Sequence, residues 1–267
     1  MAYPQKILSI QIESEAQQAL EKFLTPSKKP LSELELGVLA QATSFTVPFE
    51  SINLNAFCWG TGPTVLLVHG WGGYGLQLGH FIEPLLNAGY RVLAFDAPAH
   101  GSTVGVKTSG LEIAQAIATI AQHQAPITRV IAHSIGAAST TLALSDGMQI
   151  DKVVYLGPMC WLSNAAKLFA RRARLSADVR EAFLNLFETQ FGQDIWQRFS
   201  VDQIASKLSV PALLFHDRHD RDVSIEEGHA IAQAWSGARL IETSGLGHRR
   251  ILRNEWVIQQ AVDFIAV

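Results

Sequence analysis

The sequence predicts an α/β fold, with a mostly parallel sheet covered by helices on both faces. Short continuous apolar runs, such as Val65–Val68 and Val153–Leu156, are typical of strands that are buried on both sides. Segments with helical periodicity, roughly ten to fifteen residues long, alternate with these runs, and that alternation builds parallel sheets. The composition is that of a globular protein, since 48% of the 267 residues are hydrophobic and 17% are charged.

The N-terminal part of the chain predicts helices ahead of the sheet. Ser14 with Gln17, and Ser32 with Glu35, have the spacing of capping boxes and predict the starts of two helices. Beyond this part the period of the apolar residues changes to two, which predicts β-strands. We therefore assign residues 1–43 to an N-terminal helical extension.

Eight strands and five helices are predicted downstream of this extension. The strands are Phe45–Phe49, Ile52–Ala56, Val65–Val68, Arg91–Phe95, Arg129–Ala132, Val153–Leu156, Ala212–Phe215 and Leu240–Ile241. The helices are Gly75–Ala88, Ser109–Gln124, Ile135–Leu144, Ser224–Trp235 and Glu255–Phe264. Ser109 with Glu112, and Ser224 with Glu227, again have the spacing that opens a helix.

One stretch interrupts the alternation of strands and helices. Residues 159–208 have no strand pattern and predict two or three helices inserted after the sixth strand. An insertion at that point is expected to lie over one edge of the sheet as a helical cap. The segments on either side, 44–158 and 209–267, then form the α/β core.

Composition and charge argue against several classes of protein. The formal net charge of −3 gives no basic footprint of the kind that nucleic-acid-binding proteins show. No run approaches the roughly 20 apolar residues of a membrane span, and the acidic start, with Glu13 and Glu15, is unlike a signal peptide. Cys58 and Cys160 lack metal-ligand spacing and form no disulfide framework, so we expect a reduced, cytoplasmic protein. The oligomeric state is not predicted.

A serine after the fifth strand is the strongest candidate for chemistry. In an open parallel sheet, ligands bind beyond the carboxyl ends of the strands. Ser134 lies at such a strand end, where a helix begins, with small residues on both sides at Ala132 and Gly136. Those neighbours allow a sharp turn that raises the serine hydroxyl above the sheet, as in a nucleophile elbow.

A serine hydroxyl needs a base in hydrogen-bond reach, and the base needs a carboxylate that orients it. In this type of sheet the expected chain order is serine, then acid, then histidine. An acidic loop at 217–222 follows the seventh strand, and His248 follows the eighth. All three groups are therefore expected on the same side of the sheet.

Four post-strand segments together resemble the α/β-hydrolase superfamily, over about residues 45–267. They are His69-Gly70-Trp71-Gly72, Asp96-Ala97-Pro98-Ala99-His100-Gly101-Ser102, Ala132-His133-Ser134-Ile135-Gly136 and His216-Asp217-Arg218-His219-Asp220-Arg221-Asp222-Val223. They are similar to the family's oxyanion loop, D-x-P-G-H-G-x-S turn, nucleophile elbow and acid loop. The chain departs from these patterns at Ala99, Thr103, Ala132, Asp217 and Ser224.

The resemblance implies a role for each of these groups. Ser134 is the expected nucleophile, His248 the base and Asp220 the acid, with Asp222 as the fallback acid and Asp217 as a weaker alternative. The backbone N–H groups of Trp71 and Ile135 are expected to form the oxyanion hole. We expect the side chains of Trp71, His133 and Trp161 to line the substrate pocket.

The resemblance also implies a function. We expect a serine hydrolase that cleaves a carboxylic ester or thioester of a small, fairly apolar substrate through a covalent acyl-enzyme, with no metal and no cofactor. An acyltransferase, a cofactorless lyase on the same triad, and a non-enzymatic small-molecule receptor or regulator are alternatives. The basic residues Arg171, Arg172, Arg174 and Arg180 predict a solvated helix face, or else a site for an anionic substrate tail or a partner.

Overall fold

The computed structural model describes residues 3–124 and 126–267, with residues 3–8 described by their backbone alone. Within these residues the strands are β1 (Thr43–Phe49), β2 (Ile52–Trp59), β3 (Thr64–Val68), β4 (Arg91–Phe95), β5 (Ile127–His133), β6 (Lys152–Leu156), β7 (Ala212–Asp217) and β8 (Ala238–Thr243). They form one eight-stranded sheet in the order β1-β2-β4-β3-β5-β6-β7-β8. Strands β3 to β8 are parallel to one another. Strand β2 pairs antiparallel with β4, and β1 pairs antiparallel with β2. The predicted α/β fold is confirmed.

Helices cover both faces of this sheet. They are α1 (Tyr3–Phe23), α2 (Glu33–Leu39), α3 (Ile82–Asn87), α4 (Gly110–His123), α5 (Ile135–Ser145), α6 (Leu162–Arg172), α7 (Ala177–Phe191), α8 (Ile195–Arg198), α9 (Val201–Ala205), α10 (Ile225–Ala234), α11 (Gly247–Arg250) and α12 (Glu255–Ala266), with 3₁₀ turns at Gly75–Phe81 and Ile251–Arg253. No helix among the described residues is both long enough and apolar enough to cross a membrane.

Two apolar layers hold the helices to the sheet. Every residue of β3 is buried, and successive residues belong to opposite layers: Leu66 and Val68 to one, Val65 and Leu67 to the other. The alternation follows from the two-residue period of a strand, and it explains why Val65–Val68 is an uninterrupted apolar run. The two cysteines are buried in these layers and form no disulfide.

The helix predicted over 75–88 is divided in two. A 3₁₀ turn covers Gly75–Phe81 and α3 begins only at Ile82. Leu78 leaves the helical region of φ and ψ, and Pro84 has no N–H to continue an α-helical hydrogen-bond ladder from the preceding turn. Pro84 is accommodated because it lies in the first turn of α3, where no intrahelical donor is needed.

The N-terminal extension differs from its prediction at the first helix. Ser14 does not start a helix, because α1 already begins at Tyr3 and continues to Phe23. Ala16, Ala19 and Leu20 are buried at helical spacing, and this face packs α1 against α7 and α6. The second capping box is present as predicted, with Ser32 and Glu35 bonded reciprocally at the start of α2. Residues 1 and 2 of the extension lie outside the described residues.

Between β6 and β7 the described chain forms four helices, α6 to α9, where two or three were predicted. We call these four helices the helical insertion. The difference comes from α8 and α9, which have only four and five residues. Elements this short are difficult to predict because one turn of helix shows almost no periodicity.

Glu227 does not form the capping box predicted with Ser224. Ser224 occupies the N-cap position of α10, but its side chain makes no capping hydrogen bond. The Glu227 carboxylate instead accepts hydrogen bonds from the backbone N–H groups of Cys160 (2.8 Å) and Trp161 (3.1 Å) and from the side chain of Asn164 (3.0 Å). Burial raises the pKa of this carboxyl group. A buried acidic side chain therefore connects α10 to the start of the helical insertion.

Candidate active site

The polar residues singled out from the sequence meet at one edge of the sheet. Each follows the carboxyl end of a parallel strand: Trp71 after β3, Asp96 after β4, Ser134 after β5, Asp220 after β7 and His248 after β8. Since these strands point the same way, their carboxyl ends bring residues that are far apart in sequence into contact.

Ser134 occupies a strained turn between β5 and α5. Its φ is 55° and its ψ is −122°, a conformation that non-glycine residues rarely adopt. The turn is stabilised by a hydrogen bond from the Ser134 N–H to the Leu156 carbonyl (3.1 Å). This geometry turns the hydroxyl out of the strand and towards His248.

Gly136 allows α5 to begin directly against β3. A Cβ atom at this position would lie 2.4 Å from the His69 carbonyl oxygen and 3.0 Å from that of Val68. Both contacts are with rigid backbone, so no side-chain movement relieves them. Gly136, the small residue noted in the sequence two places after Ser134, is therefore required by the packing.

We expect Gly136→Ala to lower the free energy of unfolding by about 2 kcal/mol, the usual cost of overpacking a core. Urea denaturation followed by circular dichroism measures this change. Gly37→Ala is the matched control, because a Cβ on that glycine of α2 meets nothing within 4 Å. It is expected to leave stability unchanged or slightly raised. Equal stabilities for the two variants would contradict the packing argument.

His248 lies between Ser134 and Asp220. The Ser134 hydroxyl donates to His248 Nε2 at 3.0 Å, and His248 Nδ1–H donates to Asp220 Oδ2 at 2.6 Å. In the neutral ring these two bonds select the tautomer with its proton on Nδ1. The unprotonated Nε2 is therefore directed at the serine hydroxyl, as a general base requires.

The Asp220 carboxylate is held in place by its own loop. Its side chain is 1% exposed, and its second oxygen, Oδ1, accepts hydrogen bonds from the backbone N–H groups of Asp222 (2.8 Å) and Val223 (2.9 Å). Neighbouring His216 donates from Nε2 to the Val223 carbonyl at 3.0 Å. These bonds fix the orientation in which Asp220 meets His248.

The two alternative acids have other partners. Burial raises the pKa of Asp217, but hydrogen bonds from Leu246 N–H, His219 N–H and Thr243 outweigh it and lower that pKa to about 2. Burial likewise raises the pKa of Asp222, but the guanidinium of Arg172, 2.7 Å away, leaves that pKa below its ordinary value. The structure therefore pairs Asp220, rather than Asp217 or Asp222, with His248.

Gly157 is a site residue that the sequence analysis missed. It follows the end of β6 with a φ of +52°, and a Cβ there would lie 3.1 Å from His248 Nδ1 and 3.3 Å from Asp220 Oδ2. The absent side chain leaves room for the hydrogen bond between His248 and Asp220. A glycine directly after a predicted buried strand was the available signal.

Trp71 and Ile135 both line the cavity at Ser134. Ile135 is the first residue of α5, so its N–H has no acceptor within the helix. The Trp71 N–H donates in none of the hydrogen bonds found among the described residues. The role of these two N–H groups as an oxyanion hole stays a prediction.

Two buried side chains support the loop that carries Trp71. Asp96 accepts hydrogen bonds from the Gly75 N–H and the Ser102 N–H, each at 2.7 Å. His69 donates from Nδ1 to the Gly70 carbonyl and accepts at Nε2 from the Ala97 N–H. Burial lowers the pKa of His69 to about 4, so the ring is neutral and keeps this pattern near neutral pH.

His133 contacts the loop that carries His248 rather than the serine hydroxyl. Its ring lies between the side-chain oxygen of Gln77 (3.1 Å) and the backbone carbonyl of His248 (3.0 Å). Burial holds the pKa of His133 well below its ordinary range, so the neutral ring donates to one of these two oxygens at a time. His133 also lines the cavity, where the sequence placed it.

A cavity of about 490 Å³ opens above Ser134 and His248. Trp71 lines it, but Trp161 does not: the Trp161 indole donates to Asp202 at the base of the insertion. Most of the wall is apolar and comes from α1 and the insertion. Its members include Phe23, Leu162, Phe169, Phe187, Phe191 and Phe199.

Helix α1 contributes part of this wall, which the sequence did not reveal. Phe23 packs edge-on against the rings of Phe169, Phe183 and Phe187, with centroids 5.2 to 5.7 Å apart. The adjacent Leu24 is buried, and its carbonyl accepts a hydrogen bond from Thr108 N–H at 2.9 Å. The N-terminal extension is therefore built into the pocket.

Among the four arginines noted in the insertion, Arg172 alone is a wall residue of this cavity within the described chain. Its guanidinium pairs with Asp222 and also donates to the Arg221 carbonyl. The structure thus connects the helical insertion to the acid loop through one side chain.

The fold and the arrangement of residues at these strand ends define an α/β hydrolase. The sequence matches the alpha/beta hydrolase family over residues 65–260, and the chain belongs to that family. No curated protein sequence matches the chain. Membership of this family supports the conclusion that the protein is an enzyme with hydrolase activity.

Solved structures share the fold at low sequence identity. An esterase of Pyrococcus furiosus superposes with a TM-score of 0.68 at 21% identity, covering 91% of this chain and 98% of the esterase. An esterase of Exiguobacterium antarcticum superposes with a TM-score of 0.67 at 16% identity, covering 84% of this chain and 100% of that esterase. A bromoperoxidase of Bacillus anthracis superposes with a TM-score of 0.66 at 17% identity, covering 83% of this chain and 99% of the bromoperoxidase. At these identities the likeness concerns the fold alone.

Proposed function

We propose that this protein is a serine hydrolase that cleaves carboxylic esters or thioesters through a covalent acyl-enzyme. One observation carries the proposal: the Ser134 hydroxyl is bonded to His248 Nε2, and His248 Nδ1 is bonded to the buried Asp220. A base held in the right tautomer beside a strained serine is the arrangement that activates a serine nucleophile.

In the proposed reaction, Ser134 Oγ attacks the carbonyl carbon while His248 Nε2 takes its proton. The negative charge that develops on the carbonyl oxygen is stabilised by the N–H groups of Trp71 and Ile135. The tetrahedral intermediate collapses when His248 returns the proton to the departing alcohol or thiol. A water molecule, deprotonated by His248, then attacks the acyl-enzyme. The second tetrahedral intermediate releases the carboxylic acid as His248 returns the proton to Ser134 Oγ.

The cavity favours an apolar acyl group. Its volume of about 490 Å³ lies within the range of small-molecule sites, and its wall is mainly aromatic and aliphatic. We propose that α1 and the helical insertion act together as the cap over the α/β core. The acyl chain would then lie between Phe23 on one side and Phe199 on the other.

We expect Phe23→Ala to shift the acyl-chain preference towards longer chains. Removal of the ring opens the wall between α1 and the insertion, where additional methylene groups gain apolar contact. The ratio of kcat/KM for decanoate to that for butyrate nitrophenyl esters is expected to rise roughly tenfold. Phe264→Ala is the control, since Phe264 is a partly buried ring in the opposite apolar layer. The same ratio in both variants would contradict a role for α1 in specificity.

A panel of nitrophenyl esters and acyl thioesters of increasing chain length tests the proposed function. The proposal predicts saturable release of the alcohol or thiol with stoichiometric formation of the acid. Turnover that requires an added alcohol or amine, with the acyl group found on that acceptor, would identify an acyltransferase instead. Tight binding of an ester without turnover would point to a receptor.

A further inference from the structure

A second concavity adjoins the catalytic cavity on the far side of His248. It has a volume of about 440 Å³ and shares Asp222, His248 and Arg249 with the catalytic cavity. Arg221 and Arg250 form part of its wall. We call this concavity the arginine groove. The shared wall residues place this concavity directly beside the reacting groups.

Arginine side chains outnumber carboxylates in the wall of the arginine groove. The guanidinium groups of Arg221 and Arg249 form no hydrogen bond or ion pair within the described part of the chain, and that of Arg250 donates to the Gly245 carbonyl. Asp222 is the one carboxylate among the described residues of the groove wall. It pairs with Arg172 at 2.7 Å, and the charge of Arg249 also contributes to lowering its pKa. This concentration of cations stands out in a protein whose formal net charge is −3.

The position of the groove relative to His248 assigns it to one end of the substrate. His248 returns its proton to the leaving group, so the leaving group lies against this residue when the acyl carbon is at Ser134. The apolar cavity under α1 and the insertion accommodates the acyl chain. The groove is thus on the leaving-group side of the scissile bond.

We propose that the arginine groove binds an anionic group on the alcohol or thiol part of the substrate, such as a phosphate, sulfonate or carboxylate. The proposal rests on the proposed hydrolase function and narrows its substrate class. Guanidinium groups bind such oxyanions through charge-assisted and often bidentate hydrogen bonds. Unpaired arginines beside a reaction site also raise the encounter rate of anionic substrates.

Two esters that differ in one charge test this proposal. Para-octanoyloxybenzenesulfonate carries an anionic leaving group, and para-octanoyloxybenzenesulfonamide is its uncharged analogue. We expect the wild-type kcat/KM to favour the sulfonate by roughly tenfold, and this preference to decrease with increasing salt. Arg221→Gln and Arg249→Gln are each expected to lower the preference roughly three- to fivefold. Arg221→Lys is expected to retain part of it.

Arg239→Gln is the control for net charge. Arg239 lies exposed near the start of β8, at the end of the strand remote from the catalytic residues, and its replacement is expected to leave both rates unchanged. An equal preference in the wild type and all variants, with both esters hydrolysed, would overturn the anion site and leave the hydrolase intact. Hydrolysis of neither ester would overturn the proposed function and this proposal with it.

Discussion

Replacement of Ser134 by alanine is expected to lower kcat/KM for the best ester by about 10⁴-fold or more. The variant keeps the oxyanion donors and the cavity but has no atom that forms the acyl-enzyme. Because the alanine side chain is smaller than that of serine, it fits the same turn, and the fold is expected to persist. Initial rates with a nitrophenyl ester, together with the melting temperature, separate loss of chemistry from loss of structure.

Ser200→Ala provides a matched control. Ser200 is 7% exposed, close to the 8% of Ser134, and its hydroxyl donates to the Trp196 carbonyl at 2.7 Å. Its loss removes one buried hydrogen bond, at about 1 kcal/mol of stability, without touching the reacting groups. Residual activity of Ser134→Ala equal to that of Ser200→Ala would rule out Ser134 as the nucleophile.

Asp220→Asn is expected to lower kcat by roughly 10³- to 10⁴-fold with little change in KM. The amide keeps the size of the carboxylate but can no longer stabilise a protonated His248. It also allows the ring to take the other tautomer, which leaves a proton on Nε2 facing Ser134. Steady-state kinetics over a range of pH, with folding checked by circular dichroism, measures the effect.

Asp222→Asn distinguishes between the two acids in the same loop. Asp222 contacts Arg172 rather than His248, so its replacement is expected to change kcat by less than about tenfold. A larger loss for Asp222→Asn than for Asp220→Asn would transfer the role of the acid to Asp222. The hydrogen bonds from Asp222 N–H and Val223 N–H to Asp220 would then serve only to stabilise the loop.

The sheet was predictable because its strands are buried on both faces. Burial makes runs such as Val65–Val68 apolar without interruption, and the glycine-rich segment that begins at Gly70 marks where this run ends. The direction of the parallel strands then places Ser134 and His248 at the same edge. Local sequence and topology were sufficient for these features.

Contacts between distant segments were not predictable. Phe23 has the same local signature as any apolar residue on an amphipathic helix, and only tertiary packing brings it to the cavity. Glu227 has capping-box spacing, yet the N–H groups at the start of the insertion bind its carboxylate instead. Trp161 was expected to line the pocket, whereas its indole donates a hydrogen bond to Asp202. In each case a long-range partner outweighs the local pattern.

Reaction with a fluorophosphonate probe, followed by intact mass spectrometry and peptide mapping, tests whether Ser134 is an activated nucleophile. We expect one adduct per wild-type chain, located on Ser134, no adduct on Ser134→Ala, and a strongly slowed reaction in His248→Ala. An undiminished adduct on Ser134→Ala, or no adduct on folded wild-type protein, would contradict an activated serine at this site.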